Sequence, residues 1–255
     1  MPVLALQFVA PLQSWGDTGV YGTRKTLHIP TKSAVIGMIA GALGRKRGES
    51  LEDLRELKMG IRVDQQGSIF TDFQTAESVS KEDLLKVWTL TTGQEKYPVK
   101  LSDKTEKYIA RKEYLTDAIF LVVLSHNSKE FLNEIATALK NPIYPVHFGR
   151  RNCVPMDDVV LSVLDDTMLN TLYDTPWLAH DWYKKRYGKS STKLPVYAEG
   201  VPKDLSVRKV TFMDTPSTTF AQNDRRFEPR RFYELKPVQV IKKDVKSHVD
   251  FFEEV

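Results

Sequence analysis

The sequence has few of the residues that build disulfides, metal centres and membrane spans. Its single cysteine, Cys153, excludes an internal disulfide and a multi-cysteine zinc site. The five histidines are scattered without metal-ligand spacing. Val35–Leu43 is the longest apolar stretch, far short of the ~18 residues of a membrane span. The amino terminus lacks the basic-then-apolar layout of a signal peptide, so we expect a cytoplasmic protein with no membrane partner.

Motifs of several large enzyme classes are also missing. The chain contains neither a phosphate-binding Gly-x-x-x-x-Gly-Lys-Ser/Thr loop nor a dinucleotide-binding Gly-x-Gly-x-x-Gly motif. No set of Asp and Glu residues resembles a two-metal nuclease site. We therefore expect no cofactor and no metal.

Positive charge is clustered although the net charge is only +4, from 37 Lys and Arg against 33 Asp and Glu. The segment from Arg24 to Arg47 carries six basic residues and no acid. A single basic run is usually solvated surface, but several runs beside Gly, Pro or aromatic residues favour a polyanionic partner. The runs are Arg45–Arg47, Arg150–Arg151, Lys184–Arg186, Arg225–Arg226 and Arg230–Arg231.

Hydrophobic periodicity predicts alternating strands and helices in the first two thirds of the chain. The predicted strands are Val3–Val9, Ala118–Leu124 and Val159–Leu164, with a short hairpin of Gly60–Asp64 and Ile69–Phe73. The predicted helices run from a Thr31 or Ser33 cap to about Leu43, around Leu51–Leu57, and over Lys129–Lys140. A polar stretch over about 75–112 predicts a protruding arm in which Trp88–Thr92 pairs with Thr105–Arg111.

This order of elements, β-α-β, an arm, then β-α-β, predicts an α+β fold with a ferredoxin-like (RRM-like) domain over residues 1–164. After Asp165 the pattern weakens, and Pro176–Trp177 and Trp182–Tyr183 suggest irregular structure. The strands expected at Val207–Met213 and Arg231–Ile241 predict a smaller β-rich C-terminal subdomain over residues 165–255.

The segment after the first strand combines a polar turn, an indole and a helix start. Free N–H groups and the dipole at a helix N-terminus favour an anion, so phosphate is the natural ligand. Trp15 either stacks a base or anchors the turn, and Thr31 and Ser33 either bind phosphate or only cap the helix. The RNA-binding candidates here are Gln13, Trp15, Arg24, Thr31, Lys32 and Ser33, with Arg45 and Arg47 in the basic run after the helix.

Phe148–Cys153 is the second candidate, because Gly149 permits close backbone approach and Arg150 and Arg151 present planar groups to phosphate. A plain turn with solvated arginines is the alternative. Cys153 is expected to be a small buried residue rather than a nucleophile. His28 or His147 would be the base if the chain cleaved RNA, although either is also compatible with a half-buried structural residue.

These segments resemble the CasD family of subunits of Cascade, the RNA-guided complex of subtype I-E CRISPR systems. CasD-type subunits form part of the fifth CRISPR-associated protein family of the RAMP superfamily. The resemblance rests on Ala10–Gly16, Gly22–Arg24 and Pro30–Ser33, then on Arg111–Ala118, Phe148–Pro155 and Arg225–Tyr233. Relative to the family pattern, Val154 is inserted before Pro155. In addition, either one further residue separates Arg111 from Glu113, or Lys112 stands in the place of the family's arginine.

The resemblance implies a ferredoxin-like domain with a thumb-like β-hairpin. It implies a non-catalytic subunit that grips the 5′ handle of the CRISPR RNA (crRNA) and caps the complex beside the large and backbone subunits. Target DNA would be contacted only through the complex. A subtype I-C relative cuts the repeat RNA itself, so a metal-independent endoribonuclease is the alternative.

The resemblance also assigns roles to residues. It implies handle contacts at Gln13, Trp15, Arg24, Thr31, Lys32 and Ser33 and places Arg111 and Lys112 at the base of the thumb. Further RNA contacts are implied at Gly149, Arg150 and Arg151 and at Arg225 and Arg230.

Overall fold

A seven-stranded antiparallel sheet organises the computed structural model, which describes residues 1–16, 23–78, 80–95, 107–188, 192–201, 205–221 and 226–240. The elements in chain order are β1 Val3–Val9, β2 Leu12–Gln13, β3 Trp15–Gly16, β4 Thr23–Arg24, β5 Thr26–Leu27, α1 Lys32–Ala42, α2 Glu52–Arg55, β6 Lys58–Gln65, β7 Ser68–Glu77, α3 Lys81–Thr92, β8 Lys107–Thr116, β9 Ile119–Ser125, α4 Lys129–Lys140, β10 Val160–Leu164, α5 Met168–Asp174, α6 Asp181–Tyr187, β11 Thr192–Ala198, β12 Ser206–Pro216 and β13 Phe227–Val240. The strand order of the main sheet is β10-β1-β9-β6-β11-β13-β12.

The centre of this sheet follows the predicted hydrophobic pattern. Every residue of β9 is buried, as expected for a strand that is paired on both edges and covered on both faces. Helix α4 has the predicted bounds; it begins where the Ser128 hydroxyl accepts from the Phe131 N–H at 3.0 Å, and it buries Leu132 and Ile135. Helices α1 and α4 contact each other and pack on one face of the sheet, and α5 packs on the other.

The arm differs from its prediction in both position and make-up. It is a long antiparallel hairpin of β7 and β8 that runs from the pair Ser68–Thr116 to the pair Glu77–Lys107. The predicted hairpin of Gly60–Asp64 with Ile69–Phe73 is wrong, because β6 pairs with β9 and β11 while β7 leaves for the arm.

Trp88–Thr92 was predicted to be a strand, but it forms the second half of helix α3. The Ser80 hydroxyl accepts from the Asp83 N–H at 3.1 Å at the start of α3, and Gly93 ends it in the left-handed conformation. These two local caps stabilise a helix where the sequence pattern predicted one side of a strand pair. None of the residues of α3 is buried, so the helix lies on the arm without a core of its own.

The C-terminal strands extend the main sheet rather than forming a separate one. Strand β11 pairs with β6 through Val196–Arg62 and with β13 through Val196–Leu235, so one sheet spans the predicted boundary between residues 164 and 165. Residues 165–188 also contain two helices, α5 and α6, where irregular structure was predicted. Among the described residues, no helix is long and apolar enough to cross a membrane.

Candidate nucleic-acid interface

The N-terminus of α1, predicted to hold a phosphate, is occupied by a carboxylate of the chain itself. Thr31 is the N-cap residue, but its side chain makes no capping hydrogen bond. Instead, the backbone N–H of Lys32 donates to Asp214 Oδ2 at 2.8 Å, and Asp214 is only 6% exposed. Strand β12 carries this acid onto the helix start, where a negative charge is stabilised. Thr31 is also buried, and Ser33 is half-buried. Asp214 therefore occupies the position at the helix start that was predicted for a phosphate.

Lys32 and Arg230, both predicted RNA contacts, belong to a buried ion network. Lys32 Nζ lies 3.1 Å from Glu199, and Arg230 lies 2.8 Å from Glu199 and 2.5 Å from Asp214. The Arg230 guanidinium also stacks 4.2 Å from the centroid of the Phe232 ring. Two cations and two carboxylates balance each other here, and burial makes such pairing necessary. We therefore do not expect Lys32 or Arg230 to neutralise RNA phosphates.

Gln13 and Trp15 are also internal. The Gln13 amide donates to the Phe8 and Ala118 carbonyls, and its oxygen accepts from the Trp15 indole N–H at 3.2 Å. Trp15 is 1% exposed and stacks against Phe8 with 5.6 Å between ring centroids. An indole enclosed in this way offers no face to a base. Of the two interpretations of Trp15, the structure supports the anchor.

Gly149 lies in a turn that packs against the segment carrying Trp15. Its φ is +93°, and a Cβ at this position would overlap the Ser14 carbonyl. The Ser14 N–H donates to the Phe148 carbonyl at 3.0 Å. The Cys153 N–H donates to the Arg150 carbonyl at 2.9 Å, which closes the turn. Cys153 is fully buried, and burial raises the pKa of its thiol, so it is a core residue as predicted.

Several of the cations that remain at the surface lie together beside β8, between the base and the middle of the arm. Strand β4 pairs in parallel with β8 and sets Thr23 beside Arg111 and Arg24 beside Lys112. Arg150 joins them, because its guanidinium donates to the Glu113 carbonyl at 2.8 Å and to the Arg24 carbonyl at 3.1 Å. We define the arm-base cluster as Arg24, Arg111, Lys112, Arg150 and Arg151.

The members of the arm-base cluster differ in accessibility. Arg24, Arg111 and Arg151 are exposed, while Lys112 and Arg150 are half-buried. Arg150 stacks on the Tyr114 ring at 4.5 Å, Arg111 lies 5.7 Å from the Phe73 ring, and Lys112 donates to Gln74 at 2.6 Å. The neighbouring carboxylates are Asp72, opposite Lys112, and Glu113, which accepts from the Thr26 N–H at 3.3 Å.

These contacts leave the cluster with five positive and two negative side chains. The held guanidinium of Arg150 orders the base of the site, while the exposed arginines are free to meet phosphate oxygens in bidentate fashion.

The remaining predicted residues lie apart from this cluster or outside the described residues. Arg45 forms a two-pronged contact with Asp53, which raises the pKa of Arg45 and lowers that of Asp53 through their hydrogen bonds. Arg47 is exposed in the loop after α1. Arg225 lies outside the described residues.

The two histidines considered as catalytic bases show no catalytic pairing. His28 is exposed and His147 is half-buried, and His147 Nδ1 has no hydrogen-bond partner among the described residues. Within the described part of the chain, no three His, Cys, Asp or Glu side chains are grouped as metal ligands.

Sequence reasoning missed the acids that neutralise Lys32 and Arg230. Asp214 is 182 positions from Lys32, and Glu199 is 167 positions away. No local pattern links residues so far apart. Thr31 is the N-cap residue, as one of the two predicted alternatives, but the predicted side-chain cap is absent and the distant carboxylate of Asp214 binds there instead.

An antiparallel α/β protein with an arginine-rich surface at the base of a long hairpin has the features of a nucleic-acid-binding protein. Comparison with known proteins gives the family. The protein-family model described as CRISPR-associated protein (Cas_Cas5) matches residues 3–233, so the chain belongs to that family.

Individual relatives agree with this assignment. The chain is 32% identical over 155 residues to the CRISPR system Cascade subunit CasD of Escherichia coli (strain K12). That alignment covers 59% of this chain and 66% of the relative, slightly less than two thirds of its length.

Two solved structures extend the likeness to nearly the whole chain. One, a CRISPR RNA-guided surveillance complex, matches with a TM-score of 0.71 and 26% identity over 95% of this chain and 92% of that chain. The other, described as the crystal structure of a Cas protein, matches with a TM-score of 0.63 and 28% identity over 92% of this chain and 95% of its own.

Proposed function

We propose that the chain is a crRNA-binding subunit of a Cascade-type surveillance complex and holds the 5′ handle of the RNA at the arm-base cluster. The observation that carries the proposal is the convergence of Arg24, Lys112 and Arg150, which lie far apart in sequence and are joined by strand pairing and by Arg150. Family membership and the likeness to a surveillance-complex subunit supply the biological setting.

The proposed mechanism is electrostatic binding rather than chemistry. Exposed guanidinium groups neutralise handle phosphates and release counterions, while the ordered loops behind them fix the position of the cations. The arm then contacts a neighbouring backbone subunit, and the body of the protein caps the complex beside the large subunit in the cytoplasm. Target DNA is reached only through the assembled complex.

The same proposal includes a ferredoxin-like domain formed by β1, α1, β6, β9, α4 and β10. The sheet order β10-β1-β9-β6, with α1 and α4 on one face, supports that arrangement. The later strands β11, β13 and β12 then continue the sheet from the β6 edge.

We also propose that the subunit binds RNA without cutting it. Among the described residues, His147 Nδ1 has no hydrogen-bond partner, so the His147 imidazole lacks the orienting partner on that nitrogen that a general base ordinarily needs, and His28 is exposed. The RNA-processing alternative is tested together with the binding proposal.

The test is a tagged pull-down of this chain with its complex genes and a CRISPR array, after deletion of the dedicated repeat endoribonuclease. Unprocessed precursor on the wild-type chain supports binding without cleavage. Discrete unit-length RNA with a common repeat-derived 5′ end would make the chain itself the nuclease. Absence of RNA, when the other subunits are recovered, would contradict the RNA-binding proposal.

A titration with handle RNA tests the cluster itself. In Arg24→Ala with Arg151→Ala, two exposed cations are lost, so the slope of log affinity against log salt should flatten by about 1.4, or ~0.7 per phosphate contact. The matched control is Lys86→Ala with Lys140→Ala, which removes two exposed lysines elsewhere. An equal change in both double variants would contradict a local site.

A further inference from the structure

Helix α6 presents aromatic rings and cations together on the surface. Trp182 is 51% exposed and Tyr187 is 46% exposed. Tyr183 lies between them, with ring centroids 5.6 Å from Trp182 and 4.5 Å from Tyr187. The last turn carries Lys184, Lys185 and Arg186, against one carboxylate in the helix, Asp181.

The three cations of the last turn of α6 differ in their exposure. Lys184 is largely covered and lies 3.9 Å from Asp181, whereas Lys185 and Arg186 are exposed. Basic residues in a last turn stabilise the helix dipole, which accounts for the charge alone. It does not account for an exposed indole and phenol in the same two turns, with Arg186 5.5 Å from the Tyr187 ring centroid.

The segment before α6 is held rigidly against the sheet. The Trp177 indole donates to the Asp64 carbonyl at 2.6 Å, and the Leu178 N–H donates to the Asp64 carboxylate at 2.7 Å. Arg62 is 1% exposed; it pairs with Asp64 and donates to the Pro176 carbonyl at 2.8 Å. An aromatic surface on such a support is already ordered, so a ligand loses little binding energy in arranging it.

Helix α6 also starts next to the base of the arm. The His180 N–H donates to Gln65 Oε1 at 3.2 Å, and the Gln65 amide donates to the Asp117 carbonyl at 2.6 Å. Asp117 directly follows β8. Lys112 lies on β8 four residues before the last residue, Thr116, which is about 14 Å along an extended strand. The start of α6 is therefore joined to the residue after β8 by hydrogen bonds through Gln65.

We infer that Trp182, Tyr187, Lys185 and Arg186 form a second contact for single-stranded RNA, in addition to the arm-base cluster. The inference rests on the proposed function, and it adds a stacking surface to a site that is otherwise electrostatic. Aromatic rings that stack bases beside cations that meet phosphates are the usual composition of a single-strand binding surface. Such a surface tolerates any base sequence, because every base has a stacking face.

The experiment compares variants of the full chain in binding to a 12-nucleotide fluorescein-labelled oligo(U) RNA and to oligo(dT) of the same length. Trp182→Ala with Tyr187→Ala should weaken RNA binding about 10-fold or more. Lys185→Gln with Arg186→Gln should flatten the salt slope by about 1.4. Ultraviolet cross-linking of the crRNA-bound complex should attach RNA within residues 181–187. The matched control, Tyr144→Ala with Lys140→Gln, replaces an exposed aromatic and an exposed lysine outside α6 and should stay within two-fold of wild type.

The outcomes separate this inference from the proposed function. If the α6 variants keep the wild-type urea midpoint and bind RNA within two-fold of wild type, while Arg24→Ala with Arg151→Ala weakens it, the α6 surface is overturned and the arm-base proposal stands. If neither set weakens binding, both are overturned. Loss confined to oligo(dT), or loss of a protein subunit from the complex with RNA affinity unchanged, also overturns the RNA assignment.

Discussion

Gly149 shows how one residue sets the geometry of the loop that carries Arg150 and Arg151. Its left-handed φ of +93° and its close approach to Ser14 leave no room for a side chain. Gly149→Ala should therefore lower the free energy of unfolding by at least ~2 kcal/mol, measured by urea denaturation.

Gly41 provides the matched control for that substitution. It lies inside α1, and a Cβ there would meet no atom within 4 Å. Gly41→Ala should raise stability by ~0.5–1 kcal/mol, because alanine loses less backbone entropy in a helix. Equal effects at both positions would contradict the steric argument for Gly149.

Cys153 gives a pH dependence with a defined sign. Burial raises the pKa of its thiol, so the folded state favours the protonated form. The associated stability is complete below the unfolded pKa of about 8.5 and is lost as pH rises toward the folded pKa. The urea midpoint should fall more between pH 7 and pH 9.5 in the wild type than in Cys153→Ala. Parallel curves would show that the pKa of the thiol is the same in the folded and unfolded states, which would contradict the effect of burial.

At the scale of elements, the sequence predicted those helices and strands whose defining pattern lies within their own residues. The amphipathic face and Ser128 cap of α4 lie within its own sequence, and that helix was predicted with its observed bounds. The continuous apolar run of β9 likewise predicted a central strand. The partner of β7 could not be predicted in the same way, because Ser68 pairs with Thr116 across 48 positions. The closure of the α1 start by Asp214 depends on a similar long-range contact.

Substitutions in helix α3 can distinguish an effect on assembly from an effect on folding. It has 12 residues, as α4 does, but none is buried, and Val87 and Leu90 are 59% and 86% exposed. Val87→Asp with Leu90→Asp should change stability by less than ~0.5 kcal/mol, because surface substitutions rarely do more. The same double variant should reduce recovery of the neighbouring backbone subunit in a pull-down, since we propose that the arm contacts it.

Helix α4 supplies the contrast for that prediction. Ile135 is fully buried, and Ile135→Ala should lower the unfolding free energy by about 2–5 kcal/mol. If the α3 variant loses as much stability as the α4 variant, the arm is part of the folded core and not an independent contact.

At the scale of the whole molecule, the sheet and the buried ions join the two ends of the sequence. Strand β11 pairs with β6. Asp214 from β12 accepts from the Lys32 N–H at the start of α1 and also pairs with Arg230 from β13. The arm-base cluster depends on the same closure, since β4 and the loop of Arg150 reach β8 from different parts of the chain. The proposed binding surface therefore depends on contacts between distant parts of the chain.

This connectivity predicts one cooperative unfolding transition instead of separate transitions for residues 1–164 and 165–255. Circular dichroism follows both parts, while Trp177 and Trp182 in the second part and Trp15 and Trp88 in the first report through fluorescence. The urea curves from the two probes should coincide in the wild type and in Trp15→Phe, whose remaining signal is weighted toward the C-terminal region. Arg230→Met leaves Asp214 and Glu199 without their shared arginine and should shift both curves together to lower urea. Urea curves that separate, or an Arg230→Met shift confined to fluorescence, would contradict a single transition and support the two parts that the sequence pattern predicts.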